Sequence, residues 1–336
     1  MYHRRIPGWT ILITAITVLV VVVGAMLAVQ HWEAKTAVTV LDAGQQVTAI
    51  TSTAEGAQVY MNRRWYAPRN LETMLIIGID ELGAMAETNA YNNRNQADFL
   101  ALYARDVDTG RSFVLHLNRD TMTDITVLGV TGENAGTRRA QLALSYNYGS
   151  GGSVSSRNTA SAVEHLLYGV GVDHYLTVTM NAIPLLNDWA GGVELEVKDD
   201  FSAMDASMAK GQTVTLMGNQ ALTYVRTRYG MDDSSNLHRM TRQRQYAAAW
   251  LDAARAKLND QTAVAELVMQ LKDYHHSDCT AEELAAFARK LGEMETIPIY
   301  EIPGEARLGE TYVEYYADEE ALQQLVLECF YTPIGV

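Results

Sequence analysis

Residues 74–80 read Met-Leu-Ile-Ile-Gly-Ile-Asp, a short continuous apolar run that ends at a glycine and an aspartate. An unbroken apolar run of this length predicts a strand that is buried on both faces of a sheet. Two more strand-like runs, 99–104 and 112–117, are joined by Asp-Val-Asp-Thr-Gly at 106–110, a sequence that favours a tight turn. The sequence therefore predicts a buried strand followed by a hairpin.

Helical and strand-like patterns interleave beyond this hairpin. Apolar spacing and end signals predict helices at 158–168, 182–189 and 237–258, and strands at 175–179, 191–197 and 224–228. We therefore expect an α/β domain over residues 71–259, with a mixed central β-sheet flanked by helices. Residues 260–336 form an acidic C-terminal extension with helices at 263–274, 281–292 and 318–330 and a strand at 297–302. Whether this extension packs on the main domain stays open.

The N-terminal segment predicts the location of the chain. Residues 9–29 carry no charge and have about the 20-residue length with which a helix crosses a bilayer. Arg4 and Arg5 precede them, so residues 1–8 are expected to stay cytoplasmic and everything beyond the helix to lie outside, as in a single-pass membrane protein. A cleaved signal peptide is the alternative, although its apolar core is usually shorter. Residues 30–70 read as an extracytoplasmic stalk.

The charge and amino-acid composition of the chain limit the classes of function that it can have. The net charge of −14 disfavours general nucleic-acid binding, which needs a basic surface. However, the chain has 20 Arg and only 6 Lys, and arginine is suited to bidentate recognition of phosphate or carboxylate. Cys279 and Cys329 form no CxxC motif, which excludes a zinc ribbon, and their pairing stays open. The His275–His276 pair reads as part of a solvated surface helix.

Arginines and aspartates gather where predicted elements begin or end. Asp80 closes the first strand, and Asn118-Arg119-Asp120-Thr121 closes the strand at 112–117. Arg226 and Arg228 are two apart in the predicted strand at 224–228, so both are expected on one face. Arg239 and Arg242 are three apart at the start of a helix and share a face, with Gln243 adjacent. An anion between these arginines would offset their repulsion, whereas ordinary salt bridges with nearby aspartates are the alternative.

In these motifs the chain resembles the LytR-CpsA-Psr family. The collinear matches over about residues 72–257 are Gly78-Ile79-Asp80, Arg94 to Asp98, Asn118-Arg119-Asp120-Thr121, Gly191-Gly192-Val193, Tyr224-Val225-Arg226-Thr227-Arg228 and Arg239-Met240-Thr241-Arg242-Gln243. Four stretches depart from the pattern: Asn118 stands where the family has proline, Asn236 where it often has aspartate, the Arg-Ser-Asp motif is lengthened at Arg94 to Asp98, and Gln141-Leu142-Ala143 stands where the family has Lys-Ile-Asn.

The resemblance implies a phosphotransferase at the cell membrane of a Gram-positive bacterium. Such enzymes move a glycopolymer, such as wall teichoic acid or capsule, from a polyprenyl (undecaprenyl) pyrophosphate carrier onto peptidoglycan and release polyprenyl phosphate. Asp80 and Asp98 match the carboxylates that bind Mg²⁺, or Mn²⁺ in its place. The residues implied around the pyrophosphate are Arg94, Arg119, Arg226, Arg228, Arg239, Arg242 and Gln243, and the residues implied in catalysis are Arg119, Asp120, Arg226 and Arg228.

Two other functions stay open at this point. A polyprenyl-pyrophosphate hydrolase would use the same site with water as the acceptor. A membrane-anchored regulator would keep the fold and bind the lipid without turnover. The lipid requires an apolar slot between sheet and helices, for which the segments 166–167 and 183–186 are candidates.

Overall fold

The apolar run at residues 74–80 lies at the centre of a sheet in the computed structural model of the chain. The structure describes residues 38–41, 48–53, 56–85, 95–129, 133–228, 233 and 235–334, with side chains from residue 58 onward. Two predictions concern residues outside these ranges: the membrane helix at residues 9–29 and the pyrophosphate-binding residue Arg94. Within them, no helix combines the length and the apolarity needed to cross a membrane.

The described strands and helices have the following bounds. The strands are β1 (Val38–Leu41), β2 (Thr48–Thr53), β3 (Gly56–Met61), β4 (Arg64–Pro68), β5 (Leu71–Ile79), β6 (Ala97–Asp106), β7 (Ser112–Leu117), β8 (Met122–Leu128), β9 (Asn134–Gln141), β10 (His174–Thr179), β11 (Val193–Glu196), β12 (Thr213–Leu216), β13 (His275–Ser277), β14 (Ile299–Glu301), β15 (Gly304–Leu308), β16 (Val313–Ala317) and β17 (Tyr331–Ile334). The helices are α1 (Leu144–Asn147), α2 (Gly152–Leu166), α3 (Ala182–Ala190), α4 (Asn219–Arg226), α5 (Asn236–Leu258), α6 (Gln261–Gln270), α7 (Ala281–Gly292) and α8 (Glu319–Phe330).

The chain divides into two units. The first comprises Met1–Arg69 and Val326–Val336, and its described part is a sheet in the order β1-β2-β3-β4-β17. The segment 30–70, which we expected to be a stalk, thus contributes four strands to a sheet that the C-terminal strand completes. The second unit comprises Asn70–Leu325.

The second unit is built around a six-stranded mixed sheet in the order β13-β10-β5-β6-β7-β14. Strands β5, β6 and β7 are antiparallel neighbours, which confirms the predicted strand and hairpin. Strand β10 runs parallel to β5, and β14 runs parallel to β7. The edge strands β13 and β14 come from the acidic extension, so the domain that we expected to end at residue 259 continues, and residues 260–325 belong to the same unit.

Neighbouring residues of β10 show that helices cover both faces of this sheet. The Thr177 hydroxyl is 2.8 Å from the Ser156 hydroxyl of α2. Leu176 and Val178 instead line a cavity whose other wall comes from α5, α6 and α7. Because successive side chains of a strand point to opposite faces, the sheet lies between two helical layers. The predicted α/β fold is confirmed.

Two predicted elements are wrong. Residues 224–228, expected as a strand, form the last turn of α4 and the extended residues that follow it. The helix forms because Ala221 and Tyr224, three residues apart, share a buried face, where the Tyr224 ring centroid lies 5.4 Å from that of Phe201. The His275–His276 pair, expected on a surface helix, lies in β13 and pairs with β10.

A β-bulge shapes the end of the β5–β6 pair. Gly78 is opposite Phe99 and Ile79 is opposite Ala97, so Asp98 is the extra residue of β6. A bulge bends its strand and changes the direction of the extra side chain. A Cβ atom at Gly78 would lie 3.0 Å from Phe99 Cβ, which is tighter than nearly all real Cβ contacts. The glycine therefore permits the close approach of the bulged strand.

We expect Gly78→Ala to lower the free energy of unfolding by about 1–3 kcal/mol, because the added methyl group overpacks against Phe99. Urea denaturation measures this change. Gly171→Ala is the matched control, since a Cβ there meets nothing within 4 Å and Gly171 has no positive φ. Its expected effect is within about 0.5 kcal/mol. Equal losses in the two variants would contradict the steric explanation.

Candidate active site

Charged side chains converge where β5, β6 and β7 meet the start of α5. The Asp98 carboxylate forms an ion pair with Arg119, which follows β7, and a second one with Arg239, whose Nη1 is 3.5 Å from Asp98 Oδ2. Arg119 Nε also lies 3.4 Å from Asp120 Oδ1. Asp80 and Arg228 act electrostatically on Arg119. We call these six residues (Asp80, Asp98, Arg119, Asp120, Arg228 and Arg239) the charged cluster.

Positive charge is buried in this cluster. The Arg239 side chain is only 3% exposed, and burial, with Arg228 and Arg119 nearby, lowers its pKa to about 9. Burial also lowers the pKa of Arg119, although Asp120 opposes this shift. Burial raises the pKa of Asp120 against the effect of the arginines. Close, desolvated guanidinium groups favour an added anion, because it offsets both their repulsion and their lost hydration.

Two asparagines connect the loop after β7 to α5. Asn118 Oδ1 accepts hydrogen bonds from the Asp120 N–H at 3.0 Å and from Asn236 Nδ2 at 2.7 Å. Asn236 Oδ1 accepts a hydrogen bond from Arg239 Nη2 at 2.6 Å. Both residues are positions at which the chain departs from the family pattern, and they contact each other. The pair therefore holds the Arg119–Asp120 loop and Arg239 in one hydrogen-bonded unit.

Gln96 was missed by the sequence reasoning. Its N–H donates to Asp80 Oδ1 at 2.7 Å, and its side-chain oxygen accepts a hydrogen bond from Arg119. It thus links the ends of β5 and β7 across β6. The one sequence signal for Gln96 is its position two residues before Asp98. An uncharged side chain in a polar loop otherwise gives no indication of a functional role.

His116 of β7 was also missed. It is 3% exposed, and burial, with Arg244 and Arg239 nearby, lowers its pKa to about 3. The imidazole is therefore neutral at physiological pH, and its ring centroid lies 5.1 Å from that of Phe99. The sequence of an apolar strand does not distinguish a histidine buried near the charged cluster from one buried elsewhere in the hydrophobic core.

An apolar cavity of about 600 Å³ opens beside the charged cluster. Its walls are apolar side chains of the central sheet and of helices α3 to α7, and Ile183 and Leu186 are among them. Asp98, Arg226, Arg239 and Gln243 line it on the side of the charged cluster, and Asp252, His275 and Glu295 are among its other polar lining residues. Ile183 and Leu186 of the candidate segment 183–186 therefore line this cavity, whereas Leu166 and Leu167 are buried in the core.

The structure separates the predicted anion-binding residues into two groups. Arg119, Arg228 and Arg239 belong to the charged cluster, whereas Arg226 and Gln243 line the cavity without belonging to the cluster. Arg239 lies in both, since it also lines the cavity. Arg226 is the last residue of α4, so it does not share a strand face with Arg228 as we expected.

Arg242 does not lie open to an anion. It is 1% exposed, its Nη1 lies 2.5 Å from Asp199 Oδ2, and its other nitrogens donate to the carbonyls of Tyr224 and Thr227. His238 Nε2 is 2.7 Å from Asp199 Oδ1. Arg242 thus makes an ordinary salt bridge, which was the alternative for each arginine. Its hydrogen bonds to the two carbonyls connect α5 to the end of α4.

Comparison with known proteins gives a family and a fold. The LytR_cpsA_psr family matches residues 37–329. This range includes most of the acidic extension, although the motif matches in the sequence end at about residue 257. The polyisoprenyl-teichoic acid–peptidoglycan teichoic acid transferase TagU of Halalkalibacterium halodurans is 27% identical over 53% of this chain, and that match spans about half of the relative, 51%. TagU of Bacillus mycoides is 22% identical over 75% of each chain.

Solved structures share the fold. A Streptococcus agalactiae protein has a TM-score of 0.62 at 21% identity, covering 77% of this chain and 87% of that one. TagV of B. subtilis has a TM-score of 0.59 at 19% identity, covering 77% and 97%. A structure of TagT bound to LIIa-WTA has a TM-score of 0.59 at 18% identity, covering 77% and 89%.

We expect Arg242→Ala to lower the free energy of unfolding by about 3–5 kcal/mol, because it leaves the buried Asp199 carboxylate without its main partner. Although burial opposes the shift, hydrogen bonds from His238 and Arg242 lower the pKa of Asp199 below its ordinary 3.8. The stabilisation is therefore present above pH 3.8 and is lost as the pH falls below it.

Urea denaturation at several pH values measures both effects, and the variant should lose the part of this acid dependence that Arg242 causes while keeping the part caused by His238. Arg307→Ala is the control, since Arg307 and its partner Glu305 are 61% and 62% exposed, and we expect a change within about 1 kcal/mol. A loss at Arg242 no larger than the loss at Arg307 would contradict the structural role.

Proposed function

Because the chain belongs to the LytR_cpsA_psr family, we propose that it is a phosphotransferase that moves a glycopolymer from a polyprenyl pyrophosphate carrier onto peptidoglycan. The observation that carries the proposal is the position of the charged cluster beside a large apolar cavity. A ligand with an anionic head and a long apolar tail matches both parts. The name of the TagU relatives, a teichoic acid transferase acting on a polyisoprenyl-linked donor and peptidoglycan, agrees with this ligand.

The cavity would hold the lipid chain of the donor. Burial of apolar surface stabilises such a complex by about 25 cal/mol for each Å² removed from water, so a polyprenyl chain gains much of its affinity there. Arg226, Arg239 and Gln243 line the same cavity and would meet the pyrophosphate where the lipid ends. The lipid thereby determines where the reacting phosphates lie.

The arginines would bind the pyrophosphate and stabilise the leaving group. In the proposed reaction a hydroxyl oxygen of peptidoglycan attacks the phosphorus that carries the glycopolymer, and the bond to the bridging oxygen breaks. Polyprenyl phosphate leaves with the added negative charge, and the hydroxyl proton passes to a base. Arg119 and Arg239 are desolvated and Arg228 lies close to both, and fixed positive charge in such a site stabilises this leaving phosphate strongly.

Asp120 is best suited to orienting Arg119. Its Oδ1 lies 3.4 Å from Arg119 Nε and 3.4 Å from Gln141 Nε2, and its backbone N–H is held by Asn118. These contacts fix the carboxylate within the loop. We therefore assign Asp120 a positioning role.

Asp80 and Asp98 would hold Mg²⁺, or Mn²⁺ in its place. Carboxylate oxygens are the donors that these ions prefer. Oδ1 of Asp80 accepts the hydrogen bond from the Gln96 N–H. Asp98 lines the cavity from its position in the bulge. When bound, the ion would neutralise charge on the pyrophosphate oxygens. The predicted helix at 9–29 would keep the enzyme at the outer face of a Gram-positive cell membrane, where the lipid carrier is within reach.

We expect the full-length chain, in detergent with Mg²⁺ and a polyprenyl-pyrophosphoryl oligosaccharide, to release polyprenyl phosphate and to form a linked product only when peptidoglycan chains are present. Asp98→Ala and Arg119→Ala should each lower this release at least 100-fold, because Arg119→Ala removes positive charge that stabilises the transition state and Asp98→Ala removes a carboxylate that would hold the metal ion. Arg111→Ala, in an exposed turn of the β6–β7 hairpin, is the control and should keep full activity.

The acceptor requirement distinguishes the other functions. Release of polyprenyl phosphate without peptidoglycan, and without a linked product, would identify a hydrolase. Donor binding without release under either condition would identify a lipid-binding regulator. Either outcome would overturn the proposed transfer.

A bulky side chain in the cavity should exclude the lipid selectively. We expect Ala247→Trp to raise KM at least tenfold for a donor with a long polyprenyl chain and to change KM little for a short-chain donor, because Ala247 lines the cavity and the indole occupies its volume. Steady-state kinetics with the two donors measure this difference. Ala256→Trp places the same side chain at a position of α5 that does not line the cavity and should leave both values unchanged. Equal KM changes for the two donors would contradict lipid binding in the cavity.

A further inference from the structure

A second group of reactive side chains lies at the edge of the central sheet, outside the charged cluster. His174 begins β10, and Asp278 and Cys279 directly follow β13. One potential ligand atom from each of these residues lies within 4.8 Å of the other two. We call His174, Asp278 and Cys279 the edge triad. The proposed transfer reaction does not use any of them.

The strand register explains why the edge triad converges. Strands β10 and β13 are antiparallel, with Leu176 opposite Ser277. Continuing this register by two residues brings His174 opposite Cys279, and side chains in such positions have Cβ atoms about 4.5–5.5 Å apart on one face of the sheet. The imidazole and the thiol thus meet because of the backbone pairing.

Hydrogen bonds hold the triad in place. Asp278 Oδ1 accepts a hydrogen bond from the Tyr175 N–H at 3.0 Å and lies 3.6 Å from His174 Nδ1. The Cys279 N–H donates to Ser277 Oγ at 3.1 Å. The three ligands are therefore presented by a strand, a strand end and the residue before the N-cap of α7, and binding requires little ordering of the chain.

The surroundings of the triad favour a cation. Asp278 and Glu283 act electrostatically on Cys279, and Glu283 lies in the first turn of α7. Glu72 also acts electrostatically on His174, but it is itself paired with Lys290 and Arg105. A divalent ion bound beside the thiol would therefore be attracted mainly by the carboxylates of Asp278 and Glu283.

We propose that the edge triad binds a Zn²⁺-class transition-metal ion through His174 Nδ1, the Asp278 carboxylate and Cys279 Sγ. Imidazole, carboxylate and thiolate are the ligands that zinc uses in proteins, and three protein ligands leave a fourth position for water. Binding forms a metal–sulfur bond and releases the thiol proton to solvent. The bound ion joins β10 to the segment between β13 and α7, and so fixes the acidic extension to the central sheet.

Co²⁺ tests the site directly, because a cobalt–thiolate bond gives a near-ultraviolet charge-transfer absorption that carboxylate and imidazole ligands do not give. We expect the metal-free full-length protein in detergent to develop this band with one equivalent of Co²⁺, and Zn²⁺ to abolish it by displacement. Cys279→Ser should eliminate the band. Cys329→Ser, at the second cysteine, should keep it and is the matched control.

A further variant separates ligand loss from misfolding. His174 is 46% exposed, so His174→Gln should fold normally, as circular dichroism would show, and should weaken Co²⁺ binding at least tenfold. Absence of the band in the unmodified protein, its survival in Cys279→Ser or its loss in Cys329→Ser would overturn the proposal. So would unchanged binding in His174→Gln. None of these measurements depends on transferase activity, so their failure leaves the proposed transfer unaffected.

Discussion

The ion pairs of Asp98 with two buried arginines are the interaction on which the candidate site depends. Burial of Arg119 and Arg239 is costly unless an anion compensates their charge, and Asp98 supplies that charge from within the protein. The carboxylate reaches both side chains because it is the extra residue of a bulge. The closeness of Gly78 to Phe99, the bend of β6 and the charged cluster are therefore parts of a single local arrangement.

The fold separates the two chemical parts of the proposed donor. Sheet and helices enclose an apolar volume, whereas the polar ends of β5, β6 and β7 meet the first turn of α5. The hydrocarbon chain and the pyrophosphate of the proposed donor would thus contact two different surfaces that lie next to each other. The acidic extension takes part in this architecture, since β13 and β14 form the sheet edges and α7 lines the cavity.

The sequence predicted those features that depend on local pattern. The buried strand at 74–80 and the position of Arg119 followed from apolar runs that end in charged residues. Arg239 followed from its place at the start of a helix, whereas Asp98 was predicted only through the family resemblance. The region 224–228 was misread because Tyr224, Arg226 and Arg228 alternate as in a strand, while burial of Ala221 and Tyr224 on one side favours a helix. The partner of Arg242 was out of reach, since Asp199 is 43 residues away and only tertiary packing brings the two together.

The hydrogen bond between Asn118 and Asn236 limits how parts of such proteins can be exchanged. The two residues are 118 positions apart, and the Asn236 side-chain amide donates this hydrogen bond to the side-chain oxygen of Asn118. A proline in place of Asn118 would leave the Asn236 amide without its acceptor, and a carboxylate in place of Asn236 would face the carbonyl oxygen of Asn118. A chimera that receives the loop after β7 from a relative must therefore receive the first turn of α5 from the same parent.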